Sequence, residues 1–278
     1  MTRILTLMDN SSGPVSTLAE HGLSFYIEHE GQTLLFDTGR SAAFLHNAST
    51  LKVNLEKLEA VVLSHAHYDH GGGLRALYEQ LESVPPLWTG PCFFDKKYSN
   101  EASGLRYLGL DFDESFLSEQ EIPQYQVEGS LKKTVKKEIL DSVYLINGFA
   151  RSHTIEKIAP RFVVQRDGKI VEDDFMDEVC LVLDKKDGIL VILGCAHPGI
   201  MNMLASVLAL FQKPLLAVLG GSHLVEADEE RRHTSLSYLE RLACPLLALG
   251  HCTGDSAAKD LRALRAYRPL SVAAEFCI

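Results

Sequence analysis

One stretch constrains this chain more than any other. It is Ser64-His65-Ala66-His67-Tyr68-Asp69-His70-Gly71-Gly72-Gly73, entered from the apolar run Ala60-Val61-Val62-Leu63 and followed by a helix-like segment, Leu74 to Leu81. Three imidazoles and one carboxylate fall within six positions, so the fold must deliver a dense polar cluster from a buried strand. His65 and His67 are two apart, and at an extended strand end their side chains share a face. Asp69 and His70 lie in the turn beyond and can point toward a second position close by. The glycines permit a tight bend and a helix start with no side chain crowding the imidazoles. Neutral imidazole nitrogen and carboxylate oxygen are donors for zinc and for the harder first-row ions. The spacing therefore predicts a metal site at a strand end rather than a solvated loop that happens to be rich in histidine.

The same grammar returns in the second half. Ile189-Leu190-Val191-Ile192-Leu193 reads as a strand buried on both faces, and it ends in Gly194-Cys195-Ala196-His197-Pro198-Gly199 before a helix, Ile200 to Phe211. Leu215 to Leu219 leads into Gly220-Gly221-Ser222-His223, and Leu246 to Leu249 leads into Gly250-His251-Cys252-Thr253-Gly254. Helical stretches near Asp228 to Leu242 and Ser256 to Tyr267 alternate with these strands. Strands alternating with helices define an α/β chain, and sheet-based enzymes place their sites at the carboxyl ends of strands.

The remaining elements are shorter. Ile4 to Met8 reads as a strand, and Leu23 to Glu28 with Thr33 to Phe36 reads as a hairpin around Glu30-Gly31. Ser41 can cap a helix running to about Asn47, and Asn54 to Leu58 reads as a helical turn. Val143 to Ile146 is a strand that ends in Asn147-Gly148-Phe149-Ala150-Arg151, where Arg151 is a candidate anion contact. Arg161 to Gln165 and Lys169 to Glu172 form a second hairpin around Asp167-Gly168. Between Pro85 and about Pro160 the pattern loosens, broken by Pro85-Pro86, Asp95-Lys96-Lys97 and Asp111-Phe112-Asp113-Glu114. This segment, about 85–160, is expected to be the variable, substrate-facing middle of a single domain spanning 1–278. Lys132, Lys133, Lys136 and Lys137 are expected on a solvated strand or hairpin face.

Hydrophobic residues make up 46% of the 278 positions and charged residues 23%, which permits a substantial core. The formal net charge of -10 argues against a general nucleic-acid or membrane-surface binder. It leaves room for a small anionic substrate, because a metal cluster supplies local positive charge. None of the six cysteines forms a C-x-x-C pair, and no secretory leader or membrane-length apolar run is visible. The expectation is a cytoplasmic protein with reduced thiols. Cys195 and Cys252 stand apart, since each sits beside a candidate ligand histidine.

His-x-His-x-Asp-His after an apolar strand resembles the metal-binding signature of the metallo-beta-lactamase superfamily. The resemblance implies an α/β four-layer αββα sandwich, mostly found in hydrolases with one or two metals. It implies His197, in Gly-x-x-His-Pro-Gly, and His251, in Leu-Gly-His-x-x-Gly, as further ligands. It also implies that Asp37, in Asp37-Thr38-Gly39, lies under the site and orients the ligands. A ligating imidazole needs an acceptor for its other ring nitrogen. The chain departs from the superfamily at the fourth motif, where two-metal members usually carry a bridging aspartate. Here Gly220-Gly221-Ser222-His223 has no carboxylate until Glu226. Either His223 joins the cluster, or the site lacks a protein bridge and His223 serves as proton donor or substrate contact.

Several segments together look like one branch of the superfamily, similar to 7,8-dihydropterin-6-yl-methyl-4-(β-D-ribofuranosyl)aminobenzene 5'-phosphate synthase. They are Asp9-Asn10, Glu20-His21-Gly22-Leu23-Ser24, Leu35-Phe36-Asp37-Thr38-Gly39, Asp177-Glu178 and the three glycine-bounded histidine loops. The expected activity is that of a metal-dependent hydrolase using a metal-bound hydroxide on a small, phosphorylated substrate. One alternative is a transferase condensing a dihydropterin diphosphate with an arylamine ribofuranosyl phosphate. Another is an iron-dependent redox protein on the same fold. The expected cofactor is one or two divalent ions, zinc first, with manganese and iron also compatible. Their ligands would be His65, His67 and His197, and Asp69, His70 and His251. Asp69 would orient the nucleophile and His223 protonate the leaving group. Arg151, Ser222 and His21 would contact the substrate. His29, His46, His153 and His233 are expected at the surface.

Overall fold

The computed structural model describes residues 1–278. The chain gathers into two compact units, one made of Met1–Gln126, Ala159–Asp177 and Ser271–Ile278, the other of Val127–Ile158 and Glu178–Leu270.

The first unit holds a seven-stranded sheet. Its order is Glu275–Cys277, Thr2–Met8, Ser24–His29, Gln32–Phe36, Ala60–Val62, Leu87–Thr89 and Gln124–Gln126. The hairpin expected around Glu30-Gly31 is present, with Ile27 opposite Leu34. Past it the pairing turns parallel, with Leu35 beside Val61 and Val61 beside Leu87. Ala60–Val62 is wholly buried, as its unbroken apolar run demands. Helices Ala43–Thr50 and Leu74–Gln80 pack onto this sheet through Phe44, Leu74 and Leu77, against Leu5, Leu7, Leu35 and Leu63. A second, four-stranded antiparallel sheet runs Lys169–Glu172, Phe162–Arg166, Lys96–Glu101, Gly104–Tyr107. Half of it comes from the middle segment in which the sequence pattern dissolves.

The second unit is one seven-stranded sheet in the order Tyr267–Pro269, Leu247–Leu249, Leu215–Gly220, Gly188–Ile192, Cys180–Lys185, Val143–Asn147, Val135–Leu140. The first four strands are mutually parallel, with Val218 beside both Val191 and Leu247. Helix Ile200–Phe211 begins and ends where the apolar pattern predicts, and its Ile200, Met203, Leu204 and Val207 join Val191 and Val218 in the core. Helix Glu229–Arg241 starts on Asp228, whose carboxylate accepts from Arg231 N. The basic strand Val135–Leu140 lies at the sheet edge with Lys136 and Lys137 exposed, as expected.

Two expectations fail locally. The helix read over Ser256 to Tyr267 stops at Leu261, and Tyr267 instead opens an edge strand, pairing with Leu247 and donating its hydroxyl to Leu249 O. His29 is not on the surface. It is fully buried, with Nδ1 2.8 Å from Thr2 Oγ1, because its strand is covered on both faces. No helix is long and apolar enough to cross a membrane.

Candidate metal centre

In the first unit the donors come from one turn. Strand Ala60–Val62 delivers Ser64 and His65, and His67 is the extended residue that starts the short helix Tyr68–Gly71, which carries Asp69 and His70. Gly73 allows this turn to lie against its neighbours, since a Cβ there would stand 2.4 Å from Thr38 O. His65 Nε2 and His67 Nδ1 are 3.1 Å apart, and the His65 and His70 rings are 4.2 Å apart. All three imidazoles are buried. Burial, then the neighbouring His70 and His67, hold the His65 pKa well below its ordinary value, so the ring is neutral, the state in which it can ligate.

Asp37 ties this turn together. The chain leaves strand Gln32–Phe36 with Asp37 at a φ of 59°, and the carboxylate reaches back under the turn. Oδ1 accepts from Ser64 N at 2.7 Å, and Oδ2 accepts from Ser64 Oγ at 2.8 Å and His70 Nδ1 at 2.7 Å. With its Nδ1 proton committed to Asp37, His70 presents Nε2 as its lone-pair nitrogen. His21 is half exposed, with Nδ1 3.2 Å from Asn10 Nδ2 and Nε2 3.1 Å from Asp69 Oδ2.

A support that the sequence did not announce holds the same turn. Asp177 Oδ2 accepts from Ala66 N, between the two histidines, at 2.8 Å, and Oδ1 accepts from Lys97 Nζ at 2.9 Å. Lys97 also donates to Asp173 Oδ2 at 2.7 Å and sits 4.5 Å from the Phe175 ring centroid. Burial opposes the ammonium, but the two carboxylates outweigh it and raise its pKa, so Lys97 stays charged. Phe162 and Phe175 wall His67 at 5.8 and 5.4 Å between centroids.

In the second unit the donors come from three neighbouring parallel strand ends. His197 follows Gly188–Ile192, His223 follows Leu215–Gly220 and His251 follows Leu247–Leu249. Glu178 holds the first loop by its backbone, accepting from Ala196 N at 2.6 Å and His197 N at 3.1 Å. The His197 and His223 rings meet edge-on at 4.1 Å. His223 has a left-handed φ of 47°, and its Nε2 is 3.4 Å from Glu226 Oε2. Ser222 Oγ donates to Thr253 Oγ1 at 3.0 Å. Arg151 is half-buried, and its charge bears on Glu156, the carboxylate that accepts from Met201 N and Asn202 N at the start of helix Ile200–Phe211.

Two thiols share this second region. Cys252 Sγ accepts from His223 N at 3.3 Å and is 3.4 Å from Cys195 O. Burial opposes ionisation of Cys252, yet hydrogen bonds with Cys195 and His223, and the nearby His251 and His223, prevail and hold its pKa well below the ordinary thiol value. Cys244, buried without such neighbours, is pushed up to about 11.

Within each unit predicted residues come together: His65, His67, Asp69, His70, Asp37 and His21 in the first, His197 with His223 in the second, where Ser222 turns to Thr253 and His251 lies with Cys195 and Cys252. Imidazoles with a carboxylate, oriented by a buried acceptor, suit a divalent ion. Nothing in the sequence pattern points to Lys97 or Asp173, and Asp177-Glu178 is legible as one of the segments that carry the resemblance, without a role of its own.

Comparison with known proteins agrees with this chemistry. The metallo-beta-lactamase superfamily model matches residues 18–83. An uncharacterised Methanocaldococcus jannaschii protein, MJ0448, is 30% identical over 94% of this chain and 94% of its own. A second M. jannaschii protein, 7,8-dihydropterin-6-methyl-4-(β-D-ribofuranosyl)-aminobenzene-5'-phosphate synthase, is 28% identical over 92% of this chain and 88% of its own. The crystal structure of Tm1679, a metal-dependent hydrolase of the beta-lactamase superfamily, superposes with a TM-score of 0.83 at 30% identity, covering 100% of this chain and 99% of that one. The chain belongs to the metallo-beta-lactamase superfamily and has its α/β fold. That fold implies divalent metal binding, and the chain carries candidate groups of histidine, cysteine and aspartate ligands.

Proposed function

We propose that this protein is a metal-dependent hydrolase of a small, phosphorylated substrate. One or two ions, zinc first, would be held through His65, His67, Asp69 and His70 in the first unit, with His197 and His251 the candidate ligands that the second unit offers. The observation that carries the reading is the buried imidazole pair at 3.1 Å, flanked by His70 with its Nδ1 proton committed to Asp37. A divalent ion supplies two things in such a site: it lowers the pKa of water toward neutrality and it offsets negative charge developing on the substrate. The protein's own groups do the rest. Asp69 orients the attacking oxygen, and His223 passes a proton from Nε2 to the leaving oxygen, with Glu226 beside it to hold the ring. Arg151, Ser222 and His21 contact the substrate, whose anionic character the ions and Arg151 accommodate. The acidic composition argues against a general nucleic-acid or membrane-surface partner and so supports a small-molecule substrate.

A second reading is favoured by the 28% identity to the pterin synthase. The same groups would then bind the diphosphate of a dihydropterin and assist its departure while an arylamine attacks the carbon.

The test is elemental analysis of natively purified protein, paired with turnover of phosphodiesters and pterin phosphates. Ions bound by the wild type, lost together with activity in His65→Ala, are expected. Normal turnover by a metal-free His65→Ala protein overturns the reading. Coupled product with pyrophosphate release from a pterin diphosphate and an arylamine would replace hydrolysis by transfer.

A further inference from the structure

The Gly220-Gly221 turn carries no carboxylate, and the side chain that lies against Gly221 is the thiol of Cys252. The second unit brings Cys195, His251 and Cys252 together with one ligand atom of each within 4.8 Å of the others, all three buried. They come from non-adjacent strands, Gly188–Ile192 and Leu247–Leu249, with Leu215–Gly220 between them. That middle strand runs into Gly221, where a Cβ would stand 2.5 Å from Cys252 Sγ. Any side chain at Gly221 would expel the sulfur, so this glycine is what admits the thiol between the two loops. His223 N donates to the same sulfur at 3.3 Å, and an N–H donor of this kind stabilises thiolate.

We infer that Cys195, Cys252 and His251 form a sulfur-rich site for a borderline divalent cation of the zinc and iron(II) class. This goes beyond the hydrolase reading, with which it shares His251 as a ligand and the loop that carries His223. Two thiolates and an imidazole are three of the four ligands of a tetrahedral zinc site, whose sulfurs lie roughly 3.8 Å apart for Zn–S bonds of about 2.3 Å. The three ligand atoms already lie within 4.8 Å of one another. The fourth position is left to water or substrate. On metal entry each thiol gives its proton to solvent, and the S–H contact from Cys252 to Cys195 O is exchanged for a metal–sulfur bond, while the His223 N–H contact is kept. Thiolate donors select against magnesium, calcium and manganese, which prefer oxygen.

Cobalt(II) is the probe. The full-length protein, stripped and reconstituted with cobalt(II), should show a sulfur-to-cobalt charge-transfer band in the near ultraviolet. The band should be lost in Cys195→Ser with Cys252→Ser and weakened in each single variant. X-ray absorption at the zinc edge of the wild type should show sulfur neighbours, which needs no variant and so does not depend on the variants folding. Cobalt or zinc bound through nitrogen and oxygen alone overturns the inference and leaves the hydrolase reading standing. No ion retained under any loading condition overturns both.

Discussion

The two units present their histidines by opposite routes. In the first, His65, His67, Asp69 and His70 come from one continuous turn, and two buried carboxylates lock it from beneath, Asp37 through Ser64 and His70 and Asp177 through Ala66 N. In the second, His197, His223 and His251 come from three strand ends, and the one carboxylate on the first loop, Glu178, grips backbone rather than imidazole. Asp177 and Glu178 are consecutive, yet the first serves one unit and the second the other. A local turn needs support from beneath and from the side, here the two carboxylates and the Phe162 and Phe175 rings. Strand ends inherit their placement from the sheet, so a backbone clamp is enough.

The largest expected effect tests the support under the first turn. Lys97→Met removes the cation between Asp173 and Asp177 and leaves two buried carboxylates facing each other. Breaking a buried pair this way costs about 3–5 kcal/mol. Chemical denaturation should show that loss, and Lys97→Arg should recover part of it. A Lys97→Met protein as stable as the wild type would mean that the ion triad is not what holds Ala66 and its flanking histidines.

The contrast between the units also explains what could be read from the sequence. The first turn is legible because its donors are one to five residues apart and follow an apolar strand. The second set is legible only as a recurrence, strand then glycine then histidine, given meaning by the first. Lys97 was illegible: Asp95-Lys96-Lys97 reads as a charged break, and only the pairing of Lys97 with Val164 in the four-stranded sheet puts its side chain indoors. The strand Glu275–Cys277 was missed because three residues carry too little alternation, and it exists through pairing with Thr2–Met8. Tyr267 was drawn into the preceding helix because its strand partner is 20 positions away at Leu247. In each case a contact distant in sequence overrode a local pattern.

Asp37→Asn sharpens the comparison at intermediate size. Asparagine keeps an acceptor for Ser64 N or His70 but loses the charge that fixes the imidazole tautomer. Changing such a partner typically costs 10–100-fold in metal affinity, so competition with a chelator should show a loss of about that order. Unchanged affinity would mean that the turn orients His70 without help.

Glu178→Gln should have the smallest effect of the three. The amide oxygen can still accept from Ala196 N or His197 N, but its NH₂ group now faces the other donor. One charge-assisted hydrogen bond is lost, about 1–2 kcal/mol of stability. The stronger discriminator is where the loss appears. If the sheet positions His197, metal affinity should fall far less than in Asp37→Asn, even with a measurable drop in the denaturation midpoint. A Glu178→Gln protein of wild-type stability that nevertheless fails to hold metal would reverse the comparison: the carboxylate, not the strand end, would then be setting the position of the histidine in the second unit as well.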